Sequence, residues 1–309
     1  MEGWPTGEIF MLCPRRNVLY KHILKKNGFE DSILALSGFR RQSIFALFFL
    51  LLVLPDTASA VNFYDGARAK QGTYFLTYTS VYAADKTTNG KGNHASKDMG
   101  LLNAQELLRL CYYSPDFVAT ALVPFGLMKI DSLDQESSGI GDINLGAGYF
   151  LPIRNVDILP MIFLEYPTGK YSSAKSANIG SNQLDIKPIV FLHKSMGDFS
   201  IDAAVKYVFR FENERTDVLP GDEFHLQCLL GYHLTEKFKL GPSVNWLQSK
   251  EKKQNGTAVD DSARAVLSVG ADIYYRFSRF GITLTYLCDV YTENSAQGHF
   301  VQIKTVYRF

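Results

Sequence analysis

Beyond residue 61 the chain has no long apolar run. Nowhere there do 18 apolar residues follow one another, which excludes a transmembrane helix from that region. Cysteine is scarce, and Cys13, Cys111, Cys228 and Cys288 show no paired spacing, so neither a disulfide framework nor a thiolate metal site is indicated. A surplus of charge is missing as well. The formal net charge is +1, which removes the electrostatic case for a nucleic-acid partner. Tryptophan is rare, with 2 residues against 22 Phe and 17 Tyr, and helical periodicity is nearly absent after Val61. What is present instead is alternation.

In "FSIDAAVKYVFRF" the residues Phe199, Ile201, Ala203, Val205, Tyr207, Phe209 and Phe211 share one face of an extended strand, while Asp202, Lys206 and Arg210 share the other. "ARAVLSVGADIYYRF" sets Leu267, Val269, Ile273, Tyr275 and Phe277 against Asp272 and Arg276. The final "HFVQIKTVYRF" sets Val301, Ile303, Tyr307 and Phe309 against Lys304 and Arg308. Segments of this kind fall near 72–84, 102–113, 116–128, 139–151, 156–166, 181–194, 197–211, 221–234, 236–248, 262–277, 279–291 and 297–309. Their connections alternate in length: "SPD", "PIRNV", "SMGD", "TE" and "SR" are tight, whereas 85–100, 168–180, 212–221 and 248–261 are long and polar. A secreted sandwich has strands of about 5–6 residues and no reason to sort its loops in this way. A membrane barrel needs strands of about 9–11 residues or more, with short turns at one end and long loops at the other.

The expected fold is therefore all-β, a transmembrane antiparallel barrel of about 12 strands. In hydrocarbon every backbone amide needs a partner, so only a closed sheet survives. An even strand count puts both termini on the periplasmic side of a bacterial outer membrane. The inward set predicted to line the lumen is Asp202, Lys206, Arg210, Glu223, His225, Asp272, Arg276, Lys304 and Arg308. Facing lipid at the mid-plane, an Arg or Lys would cost about 2–4 kcal/mol.

The front end reads as export. Arg40 and Arg41 precede an apolar run of about 12 residues, Ser43 to Leu54, and then Ala58-Ser59-Ala60, the order of a cleaved signal peptide. The expected division is a leader or misassigned start over 1–38, a signal peptide over 39–60, and the barrel over 61–309. No cysteine follows the cleavage site to carry a lipid anchor.

Motifs for catalysis are weak. "GIGDINLGAGYF" has Asn144 where a dinucleotide loop needs its third glycine, and reads better as a glycine-rich strand. His193, His225 and His233 have inward parity; the last two stand roughly 26 Å apart along a strand, too far to share a metal. No GxSxG element accompanies them, and neither a cofactor nor a metal is expected. Lys250, Glu251, Lys252 and Lys253 read as a solvated loop, with contact to lipopolysaccharide phosphates as the alternative.

From Gly139 onward "GIGDINLGAGYFL", "YPTGKY" (166–171), "IGSNQLDIKPIVFL" (179–192), "FENERTDVLPGDEFHLQCLLGYHLTEKFKLG" (211–241) and the last 32 residues resemble a family of bacterial outer-membrane barrels labelled for the MetA pathway of phenol degradation. "GDEFHL" is the most specific piece, and "NWLQSKEKK" departs from the family's pattern. The resemblance implies an outer-membrane channel linked to uptake of hydrophobic or aromatic compounds, and it carries no catalytic residues. The expected activity is passive diffusion of small solutes through a polar lumen, the alternative a barrel enzyme acting on lipids. Expected partners are outer-membrane lipids and lipopolysaccharide, a small-molecule solute and the barrel assembly machinery, which Tyr307 and Phe309 would address as a C-terminal signal.

Overall fold

A computed structural model describes residues 60–309. The leader expected over 1–38 and the signal peptide expected over 39–60, all but Ala60, lie outside the described residues.

Among the described residues, twelve long strands form one sheet: β1 Gly72–Thr88, β2 Leu101–Tyr113, β3 Phe117–Ile130, β4 in two pieces (Gln135–Ile140 and Ile143–Tyr149), β5 Asp157–Tyr166, β6 Asp185–Met196, β7 Phe199–Arg210, β8 Glu223–His233, β9 Phe238–Ser249, β10 Ala265–Arg276, β11 Phe280–Glu293 and β12 Ala296–Arg308. Each pairs with the next, and β12 pairs back onto β1 from Tyr74↔Arg308 to Thr87↔Ala296. The ladder thus closes and leaves no edge. About 12 residues per strand, at roughly 3.4 Å each and a tilt near 40°, span a hydrocarbon layer of about 30 Å.

The short connections gather at the end that also carries Gly72 and Arg308, here the terminal end. Between β2 and β3, Ser114 Oγ accepts hydrogen bonds from the N–H groups of Asp116 (3.2 Å) and Phe117 (2.8 Å), which closes a three-residue turn. Between β6 and β7 the turn needs a left-handed residue and has Gly197 at φ +64°. The long connections gather at the opposite, loop end. There Val218–Leu219, Lys253–Gln254 and Thr257–Ala258 form a small separate sheet that ties two loops together. The first long connection begins later than expected: β1 runs on to Thr88, and His94–Ser96 folds back on it. The polar residues of this extension carry no apolar alternation, so the pattern that marks membrane strands does not register them.

Side chains sort by parity. Phe199 (58 % exposed), Ile162 (56 %) and Leu110 (52 %) belong to an apolar outer surface that runs round the barrel, far more than a soluble chain presents to water. Aromatic residues collect near the terminal end of this surface, where Tyr112–Phe117, Phe199–Tyr232, Tyr275–Phe277 and Tyr307–Phe309 lie at 4.7–5.9 Å between centroids. Such belts sit at a membrane interface. Glu106 departs from the rule: it has outward parity on β2, and its carboxylate accepts a hydrogen bond from Thr79 on β1.

One strand is broken. Pro124 of β3 has no N–H to give, and opposite it β4 is interrupted at Gly141 and Asp142, with Gly141 N donating to Pro124 O at 2.9 Å. Asp142 turns out of the ladder and accepts from Gly169 N (2.7 Å), Ser181 N (2.6 Å) and Ser181 Oγ (2.7 Å). Gly169 and Gly180 approach so closely that a Cβ on the first would stand 2.7 Å from the Cα of the second. The loop over 167–184 is drawn against β3 in this way, with Ile179 beside Gly126 and Gly141. "GIGD", "YPTG" and "IGSN" are thus three parts of one anchor.

Candidate functional site in the barrel bore

The inward residues meet two kinds of partner. The first is the wall itself. Near the loop end Arg210 (β7) donates from Nη1 to Asp185 (β6) at 2.6 Å, and its Nη2 stands 3.0 Å from Glu223 (β8). Arg264, just before β10, reaches the same Glu223 at 2.7 Å, and His225 lies 3.0 Å from it. All five side chains are buried. Lys187 and Glu165 make a further wall pair at 2.8 Å, between β6 and β5. Because their strands are hydrogen-bonded neighbours or nearly so, these charges are held together by the ladder.

The second partner is a segment outside the sheet. Residues 60–68 enter the barrel and run along its inside. Arg68 stays at the terminal rim, where its N–H donates to Asp157 (2.9 Å) and its guanidinium lies 4.5 Å from the Phe150 ring. Further in, Asp65 pairs with Lys304 of β12, and Tyr64 N donates to Asp202 of β7 at 2.9 Å. Asn62 Nδ2 donates to Thr285 of β11 (2.9 Å) and to Asp272 of β10 (3.3 Å). Ala60 packs with Leu287, Phe300 and Tyr82, just past the middle of their strands. Asn62, Asp202 and Asp272 have 0 % exposure, so no open water column runs past them.

The nine residues named from the alternation therefore divide. Asp202, Asp272 and Lys304 are buried against the inserted segment; Arg210, Glu223 and His225 are buried in the wall cluster. Lys206, on the same face of β7, is only half-buried. Arg276 and Arg308 are exposed at the terminal rim and donate to Glu236 O and Gln71 O, each at 3.1 Å. The alternation did not lead to Asp185, Lys187, Glu165, Arg264 or Lys239, although the parity of Lys239 between Phe238 and Leu240 was available as a signal. The insert was missed because "VNFYDGARAK" carries neither alternation nor a turn motif. Of the loop lysines offered for lipopolysaccharide, Lys252 is buried, while Lys250 and Lys253 are exposed.

One arrangement no motif announced involves His193. Its Nδ1 lies 2.7 Å from Asp202 Oδ1 and its Nε2 lies 3.1 Å from Ser195 Oγ, the connectivity of serine, imidazole and carboxylate used in nucleophilic catalysis. Asp202 is also bound by Tyr64 N and lies 3.7 Å from Lys239 Nζ, so the group serves the insert as well. Among the described residues no cluster of His, Cys, Asp and Glu has the geometry of a metal site.

A family model described as "Putative MetA-pathway of phenol degradation" matches residues 65–305. The chain belongs to this family. Among solved structures, an outer membrane channel from Pseudomonas putida F1, of the group COG4313, is similar at 19 % identity, covering 82 % of this chain and 99 % of its own with a TM-score of 0.72. The barrel fold is thus shared across most of both chains. The KdgM porin (11 % identity, 76 % and 99 % covered, TM-score 0.43) and the TodX monoaromatic hydrocarbon channel (8 %, 78 % and 91 %, 0.43) are more distant, too slight a likeness to argue from. No curated protein matches the chain. The family member described here is an outer-membrane β-barrel whose bore holds both buried charges and an apolar cluster (Leu76, Val118, Leu159, Ile189 and Phe191 among it), and residues 60–68 occupy it.

Proposed function

We propose that the protein is an outer-membrane channel passing small hydrophobic or aromatic solutes by passive diffusion, with both termini in the periplasm. The observation that carries this reading is the combination of a closed barrel, a charged inner wall and an insert that belongs to no strand. The backbone bonds of this segment lie within it, so it can leave the bore without breaking the ladder of the barrel. Asp202, Asp272 and Lys304 would face the pathway once the segment withdraws. Lys206, Arg210, Glu223 and His225 would set the field near the loop end, and Arg276 and Arg308 the field at the periplasmic mouth. Family membership supports an aromatic class of solute, and the apolar side chains beside these charges suit such a guest. Tyr307 and Phe309 would serve the barrel assembly machinery, and Lys250 and Lys253 could meet lipopolysaccharide phosphates.

Single-channel recording of the purified chain in planar bilayers tests the reading. Discrete conductance steps are expected, and Lys206→Gln should shift the reversal potential under a salt gradient toward cations. Silence at all voltages, for this chain and for variants lacking residues 61–67, would remove the channel.

A second reading, a hydrolase acting on lipids or other esters, is favoured by one observation, the Ser195–His193–Asp202 array. Labelling of Ser195 by a fluorophosphonate, lost in Ser195→Ala, would support it. The channel reading expects no labelling.

A further inference from the structure

Lys239 of β9 has no exposure, and its ammonium finds no hydrogen-bond acceptor, only Asp202 Oδ2 at 3.7 Å. A buried cation needs an answer from its surroundings. Here two rings of the inserted segment give it: the centroids of Phe63 and Tyr64 both lie 4.3 Å from Lys239 Nζ. Tyr274 of β10 meets the same two rings edge-on, at 6.5 Å from Phe63 and 5.2 Å from Tyr64. The His193 ring lies 5.4 Å from that of Tyr64, whose hydroxyl stands 3.5 Å from His233 Nε2. Space for Phe63 comes from Gly231 of β8, where a Cβ would stand 2.6 Å from Phe63 Cε1 and 2.3 Å from Lys239 Cε. The wall therefore supplies a cation, an aromatic edge, an imidazole for a hydroxyl and a bare backbone floor. Tyr64 is in effect a phenol on a tether, filling a place shaped for a ring with one hydroxyl.

We propose that Lys239, Tyr274, His233 and Gly231 form a binding subsite for a small phenol or other monoaromatic solute, occupied at rest by Phe63 and Tyr64 and vacated when such a solute competes for it. The inference rests on the channel reading and adds to it a site and a cause of opening. A solute that takes the rings' place removes two of the contacts holding residues 60–68 in the bore. Of the remaining ties, the hydrogen bonds and the Asp65–Lys304 pair can be answered by water, while the apolar contacts of Ala60 and Val61 must part as well.

The test is single-channel recording of the full chain in planar bilayers with phenol as the probe. In the wild type, phenol should raise the open probability by roughly thirtyfold, what a desolvated cation–π contact is worth in an equilibrium constant. Lys239→Met, which keeps the length of the side chain and loses its charge, should open more often without phenol and respond to it little. Phe63→Leu/Tyr64→Leu, which keeps apolar bulk without the π-faces, should also open without phenol; there, added phenol should reduce the current by entering the vacant subsite. An equal response to phenol in wild type and Lys239→Met would overturn the subsite. So would a Leu/Leu current indifferent to phenol. Silence of all these variants, and of the deletion of 61–67, would instead remove the channel reading beneath it.

Discussion

Two sets of buried charge share this bore and are held in different ways. At the loop end, Asp185, Arg210, Glu223, His225 and Arg264 answer one another from strands that the ladder already fixes side by side. At mid-bore and toward the terminal end, Asp202 and Asp272 keep the wall partners His193 and Thr285, but they and Lys304 also meet Tyr64, Asn62 and Asp65, residues separated from them by 138, 210 and 239 positions and belonging to no strand. A wall pair keeps its members within reach of each other for as long as the sheet holds. An insert pair can part, at the cost of rehydrating its members, while every backbone bond of the barrel survives. The loop-end cluster is thus built for permanence and the mid-bore contacts for exchange.

The difference can be sharpened by breaking each set in turn. The largest loss of stability should follow from Glu223→Gln. That change removes the shared counter-charge of Arg210 and Arg264, and breaking a buried pair of this kind costs about 3–5 kcal/mol. Thermal unfolding in detergent should show a clearly lowered Tm, whereas Asp65→Asn at the insert should leave the Tm nearly unchanged and alter gating. Equal Tm losses in the two variants would erase the distinction between the sets.

A smaller effect concerns the loop tie above the cluster. Lys250 Nζ (3.0 Å), Tyr207 Oη (3.0 Å) and Arg210 N (3.2 Å) all donate to the Asp222 carboxylate. Burial raises the Asp222 pKa, but these donors outweigh it and hold the group below the ordinary carboxylate range, while Tyr207 and Asp222 push the exposed Lys250 ammonium up to about 12. A carboxyl with a depressed folded pKa stabilises fully above its unfolded value, and that contribution is lost as the pH falls through the folded value. The tie should therefore hold from pH 5 to 8 and loosen only below about 4. At pH 7, trypsin should cut Asp222→Asn faster at Arg215 and Lys253 than it cuts the wild type. Identical digestion rates would show that the tie does not hold these loops.

Much of the fold was legible from residue order because lipid and water impose opposite demands on alternate side chains. Phe199 to Phe211 and Val301 to Phe309 carry that demand openly, and β7 and β12 stand where they do for that reason. The alternation of tight and long connections followed from the same cause. Three features were hidden for physical reasons. The extension of β1 to Thr88 buries polar residues, Thr87 and Thr88, against other polar groups and hence carries no apolar period. The break of β4 at Gly141 and Asp142 depends on Pro124 and on a loop about 40 residues away (Ser181). The insert depends on contacts more than a hundred residues apart, which no local pattern encodes. Parity named Asp202 and Asp272 as inward, but it could not say that Tyr64 and Asn62 would answer them.

The central claim is that residues 60–68 block the bore reversibly. The most direct measurement is a disulfide across the 2.9 Å contact between Asn62 and Thr285, in the variant Asn62→Cys/Thr285→Cys, recorded in planar bilayers before and after reduction. The account expects no conductance while the bridge is closed, and opening events once a reductant releases the segment. Equal conductance in the oxidised and reduced states would contradict it.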